Sequence, residues 1–235
     1  MKMKLTSYLR DQGYDLIDGP VRNHRVLQLW LKRPFSDAEI YYTDIRHAFS
    51  GVGVLNETED RALKVNTGRS DDYGFNIGIS MVDEILQSTG LSDIQLSSQI
   101  KAGKKVTISY DNSINRVVPT GELIHFLANA DFVHPNPILL KHANRNQILV
   151  ITGVIFAKNL VVDIETDFTF DAPTLAKLNA STHGRIDFAS VNRQQLRMTS
   201  SSATHFPIAV KANRVRFNRG VVSGLTLVSD SRDIF

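Results

Sequence analysis

The side chains best suited to hold a metal or carry a proton are seven histidines: His24, His47, His125, His134, His142, His183 and His205. A helical metal site needs ligands at a spacing such as His-Glu-x-x-His, which puts both on one face. None of the seven stands at such a spacing. Glu57, Glu59 and Asp60 cluster as a cation-binding loop would, but a solvated polar loop accounts for them more simply. Gly51-Val52-Gly53 lacks the third glycine and the preceding strand of a phosphate-binding turn, and no Gly-x-Ser-x-Gly elbow presents a serine. Asn56-Glu57-Thr58 and Asn179-Ala180-Ser181 match glycosylation acceptors by chance. The chain has no cysteine, which excludes disulfides, thiolate metal sites and thiol nucleophiles. No catalytic residue, metal ligand or cofactor site emerges, and the chain reads as a non-enzyme.

Charge is more informative than candidate catalysts. The 235 residues carry a net +3, unevenly placed. From Lys177 to Arg219 eight cations (Lys177, Arg185, Arg193, Arg197, Lys211, Arg214, Arg216 and Arg219) face the single acid Asp187. From Glu57 to Glu84 acids dominate. Such asymmetry suits a basic face attracted to anionic lipid or nucleic acid, or a face that is merely solvated. The basic segment has few aromatics (Phe188, Phe206 and Phe217) on which bases could stack, so nucleic acid is not the expected partner.

The elements that would carry these charges centre on Gln147–Phe170. Ile148–Ala157 is apolar at both parities, as a strand covered on two faces is. From Leu160 the pattern changes. Leu160, Val162, Ile164, Phe168 and Phe170 keep the even positions apolar, while Asp163, Glu165 and Asp167 take odd ones. Alternate side chains of a strand point to opposite faces, so this half has one greasy and one charged face. That is either a strand between core and water, or one able to face lipid on its even side after rearrangement. A second alternating tract runs from Ile94 to Tyr110, long for a globular strand.

With 42% hydrophobic and 22% charged residues, the chain is globular rather than disordered, and one domain is expected because no linker-like tract divides it. No signal peptide is visible, and no apolar run approaches the roughly 20 residues of a spanning helix. The spacing predicts a short helix over residues 4–12 ended by Gly13, then strands at Tyr14–Ile17 and Val26–Leu31. Ser36-Asp37-Ala38-Glu39 reads as a capping box opening a helix to about Phe49, with Tyr41, Ile45, Ala48 and Phe49 as its stripe. Residues 51–72 read as an irregular loop. A second capping box at Ser80-Met81-Val82-Asp83 opens another helix. A helix from Leu123 to Ala130 turns Leu123, Ile124, Leu127 and Ala130 inward, and Ile138–His142 leads from there into the central stretch. Asp171-Ala172-Pro173 caps a short helix to about Asn179. Ile186–Ser190 and Leu196–Met198 alternate about an interruption at 192–195. Two last strands, Phe206–Phe217 and Val221–Val228, flank the turn Asn218-Arg219-Gly220.

The order of these segments resembles bacterial gasdermins. Tyr8-Leu9-Arg10-Asp11-Gln12-Gly13-Tyr14 is similar to the family's Tyr-Leu-x-x-x-Gly-Tyr opening. The segments 75–86, Lys105–Tyr110 and Val118–Leu127 follow in the family's order. Ile148–Lys158 resembles its long central strand, and Phe206–Lys211 its late proline-containing strand. No single motif is specific; the ordered set, covering nearly the whole chain, carries the likeness.

The resemblance implies an α+β fold, with a large twisted, mainly antiparallel sheet and peripheral helices. It implies a pore-forming effector of antiphage defence, cytoplasmic and autoinhibited until a protease removes a short carboxy-terminal peptide. The released body then forms a homo-oligomer in the inner membrane and kills the cell. On that reading residues 1–235 form one domain, about 1–219 the pore-forming body and about 220–235 the inhibitory peptide. Asn218, Arg219 and Gly220 are the candidate cleavage turn. Lipid cannot satisfy an open sheet edge, so inserted strands must close into a barrel, with copies each contributing hairpins. Candidate lipid-facing positions are Ile94, Leu96, Ile100, Val106, Ile108, Leu160, Val162, Ile164 and Phe168. Candidate contacts to anionic lipid headgroups are Lys2, Lys4, Arg10, Arg185, Arg193, Arg197 and Lys211. No cofactor, metal or nucleic acid is implied. Two departures stand out. The family's lipidated cysteine near the amino terminus is replaced by Lys2, Met3 and Lys4, and the tail after Val228 is short, so an inhibitory peptide must include Val221–Val228. Activation by pairing with a second gasdermin variant, as in fungal relatives, is the alternative to a protease.

Overall fold

Ile148–Glu165 forms one strand of 18 residues, β9, and the rest of the sheet is arranged along it. At about 3.3 Å per residue it spans roughly 60 Å, long enough to be flanked by two strands in succession on each side. The computed structural model describes residues 9–17, 24–62, 65–66, 105–128, 130–133, 136–165, 169–181, 186–192, 194–201 and 205–228. Within them the other strands are β1 (Asp15–Leu16), β2 (Leu29–Leu31), β3 (Glu39–Tyr42), β4 (Phe49–Ser50), β5 (Thr58–Ala62), β6 (Val65–Asn66), β7 (Lys105–Val117) and β8 (Asp131–Phe132). After β9 come β10 (Ile186–Asn192), β11 (Gln195–Ser200), β12 (Phe206–Asn218) and β13 (Val221–Leu227). The helices described are α1 (Thr120–Ala128), α2 (Pro137–Asn144) and α3 (Ala172–Ser181).

All the pairings are antiparallel. Along one edge of β9, β12 pairs with Leu149–Ala157 and β11 with Val161–Glu165. Along the other, β2 pairs with Ile148–Val150 and β7 with Gly153–Glu165. β10 continues outward from β11, β13 and β1 from β12, β3 from β2, and β5 and β6 from β7, giving eleven strands; β4 and β8 form a separate pair. The expected α+β architecture, a large antiparallel sheet with helices at its periphery, is the observed one.

The main core lies where the first half of β9 meets the helices. Ile148, Leu149, Val150, Ile151 and Val154 are wholly buried in one cluster with Trp30, Phe49, Leu123, Phe126, Leu127 and Leu139. This double-sided burial is what apolar residues at both parities of 148–157 predict, with the one polar side chain, Thr152, satisfied by donating to Asn213 Oδ1 at 2.7 Å. α2 has caps at both ends. Asn136 Oδ1 accepts from the amides of Ile138 and Leu139, and Pro137 takes the first helical position. At its exit Gln147 N–H donates to His142 and Asn146 N–H to Ala143, with Asn146 left-handed at φ 54°. Asn146 then ties the helix to β12, its carbonyl accepting from Arg214 and its side chain from the Phe217 amide.

Five expectations are corrected. Ser36–Glu39 opens no helix: the Ser36 hydroxyl turns back to the Arg33 carbonyl, and the Glu39 carboxylate pairs with Arg33 at 2.7 Å. Ile40, Tyr41 and Tyr42 suit a strand, and they pair with β2 as β3; only Ile45–His47 makes a 3-10 turn. The predicted loop 51–72 contains β5 and β6, short strands paired with β7, and the exposed Glu59 and Asp60 of β5 are tolerated at such an edge. Val26 and Leu27 form a turn before β2, with Leu27 at φ 69°. In α1 it is Phe126 that points inward, while Ile124 is exposed and Ala130 lies past the helix end. Ile138–His142, read as a lead-in, is helix α2. The predicted helix at 80–90 lies outside the described residues.

Candidate membrane-inserting strands

Asn159 divides β9 where its sequence pattern changes. It sits at φ 50°, and β7 shifts register opposite it, between Ser109, Asp111 and Ile114. The extra residue of such a bulge is left out of the ladder and bends the strand. The amide of Leu160 is satisfied by the hydroxyl of Ser200 at 2.8 Å, in the gap where β11 ends and β12 begins.

Beyond the bulge, register carries apolar rows across four strands. Val162 lies opposite Ile108 on β7 and Met198 on β11, and Met198 lies opposite Phe188 on β10. Ile164 lies opposite Val106 and Leu196. Paired residues share a face. Leu160, Val162, Ile164, Leu196 and Met198 have no exposed surface, and Phe188 is 2% exposed. Leu160, Val162, Ile164, Leu196, Met198 and Phe188 therefore form a covered apolar patch in the monomer, which ends on β10 at the exposed Ser190 opposite Leu196. The other face is charged. Arg197 binds Asp163 through two parallel hydrogen bonds of 2.7 and 2.9 Å, and that carboxylate holds the guanidinium above its ordinary pKa. Glu165, one step along the same face, is exposed.

The connection from β9 to β10 folds back as α3, which packs on β10. Asp171 accepts the Thr174 amide, as its cap position predicts, and hydrogen bonds from the Thr174 side chain and then its amide hold the carboxyl below the usual range. Phe170 and Leu178 are buried. Asn179, one residue further, reaches the backbone of β10. Its Nδ2 donates to the Phe188 carbonyl at 2.9 Å, and its Oδ1 accepts the Phe188 amide at 2.6 Å.

The candidate headgroup contacts that are described already have partners. Arg10 pairs with the buried Asp15 at 3.1 Å, and Lys211 stands 5.6 Å from the Tyr14 ring centroid. Arg197 is held by Asp163. Tyr14 donates to Asn115 at 2.6 Å. Its burial, aided by Asp60 and opposed by the Asn115 hydrogen bond, leaves its hydroxyl pKa pushed up to about 12. Lys2, Lys4, Arg185 and Arg193, like Ile94, Leu96, Ile100 and Phe168, lie outside the described residues. The acid cluster is partly engaged too, Glu59 with Arg116 at 3.1 Å.

The turn Asn218-Arg219-Gly220 joins β12 to β13 as expected. Arg219 and Gly220 take φ of 51° and 85°, the left-handed pair that a tight hairpin turn requires. Asn218 and Arg219 are exposed, while the Gly220 amide donates to Asn144 Oδ1 of α2 at 2.9 Å. β13 is largely exposed along its length and contacts α1, and Val228 closes it by donating to the Ala212 carbonyl. Sequence reasoning missed Ser200, Asn179 and Asn144. Each is a lone polar side chain whose role appears only when distant strands and helices are brought together. Among the described residues no helix is long and apolar enough to cross a membrane.

A family profile described as the Bacterial Gasdermin Family matches residues 17–224. Comparison with curated proteins finds no match. Among solved structures, the chain is similar to a bacterial gasdermin from Bradyrhizobium tropiciagri. The two share 13% identity and a TM-score of 0.55, over 94% of this chain and 90% of that one. Alignment with the cryo-EM structure of the gasdermin A3 membrane pore covers 89% of this chain and 86% of that one. At 10% identity and a TM-score of 0.32, that likeness carries no argument. The profile match spans most of the chain, including the whole of β9 and its flanking strands, and the protein belongs to the bacterial gasdermin family of pore-forming effectors.

Proposed function

We propose that this protein kills its own cell, as antiphage defence, by oligomerising into a pore in the inner membrane, and that it waits in the cytoplasm as an autoinhibited monomer. The observation that carries the reading is the tract beyond Asn159. Its apolar face, Leu160, Val162, Ile164, Leu196, Met198 and Phe188, is hidden in the monomer, and its other face bears Asp163, Glu165 and Arg197. A barrel strand in lipid needs that division, apolar outward and polar toward the lumen. β10 and β11, at seven and six residues, fall short of the roughly 9–11 that cross a bilayer. Insertion therefore requires the connecting residues, α3 included, to extend into strand. Anionic lipid is the expected membrane partner, and the closed barrel requires a homo-oligomer.

The trigger we favour is cleavage in the turn 218–220, which is exposed at Asn218 and Arg219 and links the body to β13. Residues from about 220 onward then act as the inhibitory peptide. The test is the full chain with a specific protease site inserted at 218–220, mixed with vesicles of phosphatidylethanolamine and phosphatidylglycerol. Dye release on cutting, and none before, is the expected result. A folded, fully cut protein that releases no dye would overturn cleavage activation and favour pairing with a second variant. The reading as a nucleic-acid-binding module is disfavoured, because Arg197, Lys211, Arg214 and Arg216 of the basic segment all have partners inside the protein.

A further inference from the structure

We infer that Asn179 is a plug on the outer edge of β10, holding the place that a strand of a second copy takes in the assembled pore. The inference rests on the pore reading above and names the contact that keeps copies apart. β10 ends the strand path β1-β12-β9-β11-β10 among the described residues. A strand at a sheet edge presents amides and carbonyls ready to pair with another chain, and soluble proteins block such edges. Here the block is specific. Asn179 donates to the Phe188 carbonyl and accepts from the Phe188 amide, the same two bonds an incoming antiparallel strand residue would make. Because both groups of Phe188 meet Asn179, they point away from β11, and the Phe188–Met198 pair is of the non-hydrogen-bonded kind. A carboxamide is the side chain that carries both a donor and an acceptor in the geometry of a peptide group.

The occupant that displaces it is a second copy of this chain. An inserted barrel tolerates no open edge, and this tract alone has too few strands to close one. Asn179 also sits on α3, the helix that must extend for the tract to reach across a bilayer. One event, the unwinding of α3, thus lengthens the hairpin and bares the edge that the next copy needs. An edge bared before the strands are long enough, or the reverse, is prevented by placing the plug on the helix itself.

The test compares intact wild type with intact Asn179→Ala and Asn179→Asp on phosphatidylethanolamine–phosphatidylglycerol vesicles, beside wild type cut at the 218–220 turn. Hydrogen exchange is followed at the amides of Phe188 and Val162. Loss of two ordinary hydrogen bonds corresponds to about a thirtyfold change in an opening equilibrium. Intact Asn179→Ala is expected to leak and oligomerise about thirtyfold faster than intact wild type, with faster exchange at Phe188 and none added at Val162 in the centre of the sheet. Asn179→Asp keeps the acceptor and loses the donor, and should fall between; it serves if the alanine variant does not fold. If both variants stay silent while cut wild type leaks, the plug is refuted and the pore reading stands. If exchange at Val162 rises as much as at Phe188, general unfolding explains the leakage and the plug is refuted. If cut wild type does not leak either, the pore reading fails and the inference with it.

Discussion

The hydroxyl of Tyr14 lies directly over Gly153, so close that a Cβ at residue 153 would stand 2.6 Å from the oxygen and 3.1 Å from two ring carbons. Gly153 is therefore the residue that leaves room for the Tyr14 ring over β9. An alanine there must push the ring away, and Tyr14 is fixed by its Asn115 hydrogen bond and by Lys211 over its face. Gly153→Ala is expected to cost about 1–3 kcal/mol, the usual range for overpacking a filled site. Combining it with Tyr14→Ala should remove the clash, so the double variant will be less destabilised than the two single effects added together. Urea unfolding of the four proteins measures this.

The same hydroxyl gives the fold a predictable alkaline limit. The Tyr14 pKa, ordinarily 10.0, is pushed up to about 12, chiefly by burial. The neutral form is the one the folded state favours. Its contribution is fully present below pH 10 and is lost as pH rises toward 12, where the unfolded chain has already released the proton. A shift of this size corresponds to at most about 2–3 kcal/mol. Tyr14→Phe should thus lower stability at pH 8, by losing the Asn115 bond, and fall less steeply than wild type between pH 10 and 12. Parallel slopes for the two proteins would show that other groups set the limit.

Much of this arrangement was legible because burial leaves a pattern. The apolar run 148–157 and the alternation from Leu160 announced the two halves of β9, and the break between them coincides with the bulge at Asn159. The hairpins β10–β11 and β12–β13 were visible from parity and from a turn that needs left-handed residues. What misled was local chemistry that tertiary contacts overrode. Ser36 and Glu39 have the right types for a capping box, yet Arg33 takes Glu39, and Ile40–Tyr42 gain more by pairing with Leu29–Leu31. β5 was illegible for a related reason. Thr58–Ala62 has no apolar alternation, since its order comes from the ladder with β7 and not from burial of a face. Asn179 and Ser200 carry no periodic signal at all; their roles depend on where β10 and β9 pass them.

Ser200 holds the bulge on which the division of β9 depends. Its hydroxyl is 4% exposed as a residue and is the partner of the Leu160 amide. Ser200→Ala leaves that amide buried without it, a loss of roughly 1–3 kcal/mol. The local signature is more telling than the total. Exchange of the Leu160 amide should rise by more than that of Val150, which lies in the main core. Equal effects at both positions would mean the bulge has another anchor.

The turn proposed for cleavage is protected by α2. Proteases bind extended chain, and this turn is held bent by the left-handed Arg219 and Gly220 and by the bond from Gly220 N–H to Asn144. Asn144→Ala frees the turn without altering its sequence. Limited trypsin digestion after Arg219 is expected to quicken about fivefold, the effect of one net hydrogen bond of roughly 1 kcal/mol on local opening. An unchanged rate would mean that turn geometry alone, and not α2, controls access.

The charged face of the tract offers the sharpest test of its orientation in a membrane. Ile164→Asp should abolish leakage without preventing membrane binding, if position 164 faces lipid. Ile164 has no exposed surface in the monomer, however, so an aspartate there also burdens the fold, and its effect must be read beside an unfolding measurement. Asp163 and Glu165 avoid that difficulty, because they lie on the other face, at the surface. Asp163→Asn with Glu165→Gln should leave the monomer within about 1 kcal/mol of wild type, the scale of a surface ion pair. In a pore with these residues toward the lumen, the substitution removes two negative charges per copy from the water-filled wall. Selectivity must then move from cations toward anions, since rings of acids favour cations. The reversal potential of single pores across a salt gradient reads this directly. A pore that conducts equally well with an unmoved reversal potential would place Asp163 and Glu165 outside the lumen, and with them the orientation assigned to Leu160, Val162 and Ile164.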